Sequence, residues 1–165
     1  GYQVRVQTSK TRPGDTTTYA AGEVVNESAS AGTAYTFLLC SRVNAGSGVI
    51  TRASIAASNN GSLKGTFELW LFNAAPAAAG FDNAVFTPSD AELLNMIGVI
   101  QFTNVFVGDA TAVAGGNSFY SSGSMALPFN TGAATTSLFG VLVVRNAYVP
   151  VASETLAITL TISQD

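Results

Sequence analysis

Alternation of apolar and polar residues is the feature that most constrains the fold of this chain. In the segment ETLAITLTIS, threonine and alanine alternate with four apolar residues, Leu156, Ile158, Leu160 and Ile162. A period of two puts each set on its own face of an extended strand, so the segment predicts a β-strand with one buried face and one threonine-rich face. GYQVRVQ and GVIQFTNVFV alternate in the same way, and Ile100, Phe102 and Phe106 share one predicted face of the second segment.

Two other segments are apolar on both faces. TFELWLF has Phe67, Leu69 and Leu71 on one side. Its other side carries Trp70 and Phe72, and SLFGVLVV is apolar throughout. A strand of this kind has to be covered on both faces. In a two-sheet protein we expect the second cover to come from a long loop, a helix or a neighbouring subunit.

A long connection follows the first of these strands. It contains SDAE, in which Ser89 and Glu92 have the spacing of a capping box. The pattern predicts a short helix, Ser89 to Met96, lying against the sandwich with Gly98 as its C-terminal cap. The residues predicted to face inward are Leu93, Leu94 and Ile97.

Turn-forming segments separate the remaining elements; they are RPGD, NAGSG, SNNGS, AGGNS and NTGA. Further strands are predicted at Thr16–Val25, Ala34–Arg42, Val49–Ala57 and Ser118–Leu127. About eight short strands, with one short helix in a long connection, predict an all-β, jelly-roll-like β-sandwich. An immunoglobulin-like topology fits the same pattern. Residues 1–165 are interpreted as one domain, in which residues 1–12 form either the first strand or an N-terminal arm.

Composition argues against several classes of partner. The net charge is −3, and the seven Lys and Arg residues are scattered, so no nucleic-acid partner is expected. No run approaches the ~20 apolar residues of a membrane-spanning helix, and GYQVRVQTSK lacks the apolar core of a signal peptide, so no membrane partner is expected. Charged residues make up only 10% of the chain, and a surface so poor in charge favours association.

Groups that support catalysis are scarce. The absence of histidine excludes a Ser–His–Asp triad and a Cys–His pair. Because Cys40 is also the one cysteine, a zinc site is not expected. Glu68 is the one candidate general acid, because burial beside Trp70 would raise its pKa. No second carboxylate is apparent for a glycosidase, so a strand-edge acid or an ion pair with arginine is preferred for Glu68. Asp82 and Asn83 are predicted to form a turn and not a calcium site. The chain is interpreted as non-enzymatic and free of cofactors.

The aromatic residues are the remaining candidates for ligand binding. A sugar-stacking platform would draw on Tyr2, Tyr19, Tyr35, Trp70, Tyr120 and Tyr148. On the strands of an all-β protein such rings more commonly belong to the core, so the core interpretation is preferred. A carbohydrate-binding β-sandwich module is kept as an alternative function.

The segment from Gly65 to Phe102, GTFELWLFNAAPAAAGFDNAVFTPSDAELLNMIGVIQF, resembles part of small structural proteins of tailed bacteriophages. In that group, a strand similar to ELWLFN leads into DNAxFTPSDAE and then into a GVIxF strand. Such proteins resemble capsid decoration, or cement, proteins. The resemblance implies a β-rich homotrimer that binds the major capsid protein on the virion surface, after assembly in the bacterial host cytoplasm. A head–tail or tail component of the virion is a further alternative.

For a protein of this kind, the N-terminal segment can pair with a strand of the coat protein. The candidate partner-binding residues are Tyr2, Gln3, Val4, Arg5, Val6 and Gln7. The alternative is that these residues are simply the first strand of the domain. The hypothesis from sequence is a decoration protein that binds the assembled coat lattice and stabilises the head.

Overall fold

The computed structural model describes residues 1–58, 65–77, 80–107 and 117–165, which form two antiparallel β-sheets and one short helix. The strands of these ranges are β1 (Tyr2–Thr11), β2 (Tyr35–Phe37), β3 (Ser47–Ala57), β4 (Phe67–Phe72), β5 (Met96–Gln101), β6 (Asn104–Val107), β7 (Ser118–Ser121), β8 (Leu127–Asn130), β9 (Leu138–Val144) and β10 (Thr155–Gln164). The helix, α1, spans Asp90–Leu93. The turn segments SNNGS and AGGNS lie largely outside the described residues.

The strand order identifies the topology. The larger sheet runs β1-β10-β3-β7-β6, with β8 also paired to β3, and the smaller sheet runs β2-β9-β4-β5. The antiparallel pairs are nested, because β1 pairs with β10, β2 with β9, β3 with β8 and β4 with β5. This nesting is the pattern of a jelly roll. The predicted all-β sandwich is therefore confirmed, and its topology is not that of an immunoglobulin domain.

The core lies between the two sheets. The alternation in β10 is realised as predicted, since its four apolar residues, Leu156, Ile158, Leu160 and Ile162, are all fully buried. From the smaller sheet, Leu69 and Leu142 complete the same cluster. Burying a side chain of this size contributes about 1.5–3 kcal/mol, so the two facing sheets supply most of the driving force for folding.

The outer face of the smaller sheet is covered by the chain itself. Phe72, Val141 and Val143 are buried there and pack with Val24 in a second apolar cluster. Phe86, from the long connection, packs against that cluster. The second cover predicted for the two-sided strands is therefore supplied by two of the chain's own loops. No neighbouring subunit is needed to bury these residues.

The predicted helix begins where expected but is shorter and does not cover the sheet. Ser89 caps α1, and its side chain and that of Glu92 form the predicted reciprocal capping box. The chain then turns directly into β5, so Gly98 lies within a strand and is not a helix cap. Leu93 and Leu94 are exposed, and the expectation that they face inward is wrong. Strand pairing with β4 ends the helix after one turn, since so short a helix has little stability of its own.

Several predicted strands have different bounds. Thr16–Val25 is irregular and makes only isolated bridges, such as that between Tyr19 and Tyr148. The strand predicted at Ala34–Arg42 is reduced to β2, and Ser118–Leu127 divides into β7 and the start of β8. GVIQFTNVFV is also two strands, β5 and β6, and the break between them leaves Phe106 exposed.

Candidate partner-binding edge

The N-terminal segment forms the outermost strand of the larger sheet. β1 pairs with β10 along its whole length, from Tyr2 opposite Gln164 to Thr11 opposite Thr155. Residues 2–11 are therefore a strand of the sandwich and not a detached arm. Among the described residues, no strand pairs with the other side of β1.

The outward side of β1 presents free main-chain groups. The Arg12 N–H donates to the Glu154 carbonyl oxygen at 2.9 Å, which continues the β1–β10 ladder. Hydrogen-bonded pairs alternate along an antiparallel ladder, so the even-numbered residues of β1 bond to β10 and the odd-numbered residues turn their N–H and C=O groups outward. The outward residues are Gln3, Arg5, Gln7 and Ser9, and no main-chain partner for them lies in the described ranges. We call this row of groups the β1 edge.

The six candidate residues divide between two faces of the strand. Val6 is buried and Val4 is half-buried against the core, whereas Tyr2 is 65% exposed at the end of the strand. The side chains of the other three candidates are exposed; they are Gln3, Arg5 and Gln7. The predicted site is thus a continuous strand with an outward main chain, but only part of its apolar surface is accessible.

Two exposed leucines lie beside the β1 edge. Leu38 and Leu39 are 64% and 68% exposed, and with Val4 and Val6 they line a groove of about 420 Å³. These leucines were not predicted as site residues, because TFLLC reads as a buried strand. The sequence does contain a sign of this exposure, since two consecutive leucines in an extended strand cannot both face the core.

Leu39 holds a backbone conformation that is unusual for leucine. Its φ is 59°, in the left-handed region that non-glycine residues rarely adopt. The Leu39 carbonyl oxygen accepts a hydrogen bond from the Gln164 side-chain amide at 2.8 Å, and Gln164 is buried. The loop is therefore fastened to the last strand in a conformation that presents an apolar side chain to solvent.

Glu68 is held as an ion pair. Its Oε2 atom accepts hydrogen bonds from Arg145 Nε at 2.6 Å and from Trp70 Nε1 at 3.3 Å, and Oε1 accepts one from Gln101 at 3.3 Å. Partial burial raises the pKa of Glu68, but the hydrogen bond and the charge of Arg145 outweigh burial, and the pKa is lowered overall. An ionised acid has no proton to donate, so Glu68 does not fit the role of a general acid.

Asp82 does more than form a turn. The predicted turn is present, since the Ala84 N–H donates to the Phe81 carbonyl oxygen at 3.0 Å and Asn83 has a φ of 61°. The buried Asp82 carboxylate accepts hydrogen bonds from the Tyr19 hydroxyl, from the Asn26 N–H at 3.0 Å and from Arg12 at 3.4 Å. Sequence gave no sign of this network because its members come from separate segments. Within the described ranges, no three His, Cys, Asp or Glu side chains come together as metal ligands.

Most of the aromatic candidates belong to the core. Tyr19, Tyr35, Tyr120 and Tyr148 are buried. Trp70 is half-buried and packs edge-to-face on Phe86, with ring centroids 5.4 Å apart. Of the platform residues considered, only Tyr2 is exposed.

Cys40 is a packed thiol, as predicted. Its Sγ donates a hydrogen bond to the Phe37 carbonyl oxygen at 3.2 Å. Burial raises the pKa of Cys40 to about 12, so the thiol stays protonated and unreactive near neutral pH.

Comparisons with known proteins give only a distant likeness. No protein-family model and no curated protein matches the chain. Among solved structures, the chain is similar to a chain of the full particle of Israeli acute paralysis virus heated to 63 degree, at 10% identity and a TM-score of 0.33, covering 99% of this chain and 73% of that one. It is also similar to the Clostridium thermocellum endo-1,4-beta-D-xylanase 10B CBM22-1-GH10 modules complexed with xylohexaose, at 13% identity and a TM-score of 0.28, covering 98% of this chain and 26% of that one. At these scores, neither likeness carries an argument about function.

No helix in the described ranges is long and apolar enough to cross a membrane.

Proposed function

We propose that this protein is a non-enzymatic virion component of a tailed bacteriophage, which decorates the capsid by binding the major capsid protein. The observation that carries the proposal is the β1 edge, a run of outward main-chain groups beside two exposed leucines. An extended segment of the coat protein adds to this edge as a further strand of the larger sheet. In this proposal, β1 pairs with β10 on one side and with the coat-protein strand on the other.

Two kinds of contact contribute to binding. The outward N–H and C=O groups of Gln3, Arg5 and Gln7 bond to the added strand, and each such bond contributes about 0.5–1.5 kcal/mol. The apolar side chains of the added strand enter the groove beside Leu38 and Leu39, where each buried leucine contributes up to about 1.5–3 kcal/mol. The main chain provides affinity, and the leucines select a partner with apolar residues at matching positions.

Assembly on a lattice accounts for the surface composition. A chain with only 10% charged residues is poorly protected against association, and this is no disadvantage for a protein held in a shell. In keeping with the family that the sequence resembles, we propose a trimer located on the capsid surface. Because such a protein binds only the assembled lattice, it stabilises the head by mass action.

A single proline tests the mode of binding. Gln7→Pro removes an outward N–H that has no described partner, and proline is tolerated on an edge strand when its nitrogen faces solvent. We expect this variant to fold but to lose co-sedimentation with empty heads. Gln7→Ala, which keeps the N–H, is the matched control and binds like the wild type. Wild-type protein that fails to co-sediment, or Gln7→Pro protein that binds normally, contradicts the proposal.

Size-exclusion chromatography with light scattering on the purified protein tests the trimer separately. A clean monomer contradicts the proposed oligomer.

The structure supports the two alternative functions to different degrees. A carbohydrate site centred on Trp70 is not favoured, because the indole packs on Phe86 and its N–H bonds to Glu68. A head–tail or tail component would use the same β1 edge. The position of the chain in an electron-microscopy map of the intact particle distinguishes that alternative from decoration of the head.

A further inference from the structure

A groove of about 540 Å³ crosses the outer face of the larger sheet, away from the core. The lining residues used below are Arg5, Arg52, Ser54, Phe119, Thr159 and Thr161. We call this feature the arginine groove. It is distinct from the leucine-lined groove beside the β1 edge.

Strand register places the two arginines in one transverse row. Arg5 of β1 is opposite Thr161 of β10, and Thr161 is opposite Arg52 of β3. Adjacent strands lie about 4.8 Å apart, so the Cα atoms of the two arginines are roughly 10 Å apart with a threonine between them. Two guanidinium groups therefore converge on one strip of the sheet.

A β-bulge lies at this row. The register between β10 and β3 shifts after Thr161, so that Thr51 is the extra residue of β3. The Thr51 hydroxyl donates to the Thr161 carbonyl oxygen at 3.2 Å. Bulges re-aim side chains and are frequent next to binding sites. Here the bulge lies immediately before Arg52.

Unlike three of the other cations, these two arginines have no carboxylate partner in the described ranges. Lys10, Arg12 and Arg145 each pair with a carboxylate. Arg5 and Arg52 are exposed and have no ion pair in the described ranges, and no Asp or Glu is among the described residues that line the groove. An acidic protein thus carries a strip of unbalanced positive charge, which attracts anions.

The remaining lining residues suit a sugar. Ser54 and Thr159 supply hydroxyl groups in the row next to the arginines. One row further, Phe119 lies opposite Ala56 and is 37% exposed, so an aromatic face is available about 13 Å along the strand from the arginine row and about 7 Å from the row of hydroxyl groups. An acidic peptide would use the arginines but would have little need of this ring.

We infer that the arginine groove binds an acidic polysaccharide. A carboxylate or sulfate group of one sugar unit accepts hydrogen bonds from Arg5 and Arg52, sugar hydroxyls bond to Ser54 and Thr159, and the apolar face of a further unit of the same polymer packs on Phe119. Such a ligand is a component of a cell surface or a secreted matrix. This activity does not depend on capsid binding through the β1 edge.

Fluorescence anisotropy with labelled oligomers of polygalacturonate and dextran sulfate tests the inference. We expect saturable binding of at least one of them at low salt, and no binding of neutral dextran. Arg52→Gln should weaken the affinity by about tenfold, the effect of losing one charge-assisted hydrogen bond. Arg42→Gln is the matched control, because Arg42 is exposed and unpaired in the described ranges but lies outside the groove. It should bind like the wild type.

Three results would overturn the inference. The first is that neither acidic polymer binds. The second is that wild type and Arg52→Gln bind the polymer equally well. The third is that poly-glutamate binds as tightly as the acidic polysaccharides, which would show that the groove accepts any polyanion. Co-sedimentation with heads is measured separately. Failure of the sugar assay therefore leaves the capsid proposal intact, and the reverse also holds.

Discussion

Arg12 and Asp82 lie 70 residues apart in the chain and form a buried ion pair, with Arg12 Nη2 and Asp82 Oδ2 3.4 Å apart. Their side chains are 1% and 2% exposed. Arg12 follows β1, and Asp82 lies in the loop that helps to cover the outer face of the smaller sheet. The pair fastens that loop to the body of the sandwich.

Removal of the acid should be costly. Asp82→Ala leaves the buried Arg12 guanidinium without its buried partner and with only the exposed carboxylate of Asp15 nearby, and breaking a buried pair in this way costs about 3–5 kcal/mol. Chemical denaturation measures the loss in free energy of unfolding. Asp15→Ala is the matched control, because Asp15 also lies near Arg12, at 3.6 Å, but is exposed. We expect little change for that control. An Asp82→Ala protein of wild-type stability would show that the pair does not fasten the loop.

The fold was largely predictable because it follows from a short-range pattern. Alternation in β10 and the two-sided apolar segments depend only on neighbouring residues, and both are realised in the sandwich. The Arg12–Asp82 pair was not predictable, since nothing local in RPGD or GFDNA indicates that the two segments meet. The helix was predicted too long for a related reason. Its capping box is local, whereas the pairing of β5 that ends it is not.

Stability should depend on pH through Glu68. Partial burial raises the pKa of Glu68, but pairing with Arg145 lowers it below its usual value near 4.5. The contribution of the ion pair is therefore fully present above about pH 4.5 and is lost as the pH falls through the lower pKa of the folded state. We expect Glu68→Gln to destabilise the protein at neutral pH and the difference from wild type to shrink in acid.

Denaturation of both proteins across the acid range checks this expectation. Arg145→Gln should remove the same pH-dependent difference, because Glu68 then lacks the group that lowers its pKa. A gap between wild type and Glu68→Gln that is equal at pH 7 and about pH 3 would contradict the assignment.

A substitution at Leu39 should have different effects on stability and on binding to heads. Glycine adopts a φ of 59° freely, whereas leucine in that region costs roughly 1 kcal/mol. Leu39→Gly should therefore be as stable as wild type or more stable, by up to about 1 kcal/mol, and should bind heads less well. Leu38→Ala is a useful comparison, since it removes an exposed leucine without a change in backbone strain. A Leu39→Gly variant that binds normally would remove this leucine from the site.

The core between the two sheets has no room for a methyl group at Gly140, so its addition should lower stability. A Cβ atom there would lie 2.8 Å from Leu69 Cδ1 and 3.1 Å from Phe37 Cε2, both in the core. Overpacking of this kind costs about 1–3 kcal/mol, so we expect Gly140→Ala to lower the melting temperature. Gly14→Ala is the control, because its nearest described neighbour is 3.5 Å away. Equal melting temperatures for the two variants would contradict the packing described here.

The candidate site was only partly predictable from the sequence. Tyr2 to Gln7 were identified as a strand, but which of their main-chain groups face outward depends on the ladder with β10. Leu38 and Leu39 were assigned to a strand because both are apolar, and their exposure depends on the left-handed turn at Leu39. The row formed by Arg5 and Arg52 depends on the pairing of three strands that are distant in sequence.

The most direct test of the account is amide hydrogen exchange in β1 with and without empty heads. In the free protein, we expect the outward amides of Gln3, Arg5 and Gln7 to exchange faster than the amides of Val4 and Val6, which bond to β10. Binding to heads should protect the outward set selectively. If the exchange rates of these outward amides stay unchanged while the protein is bound to heads, strand addition at the β1 edge is contradicted.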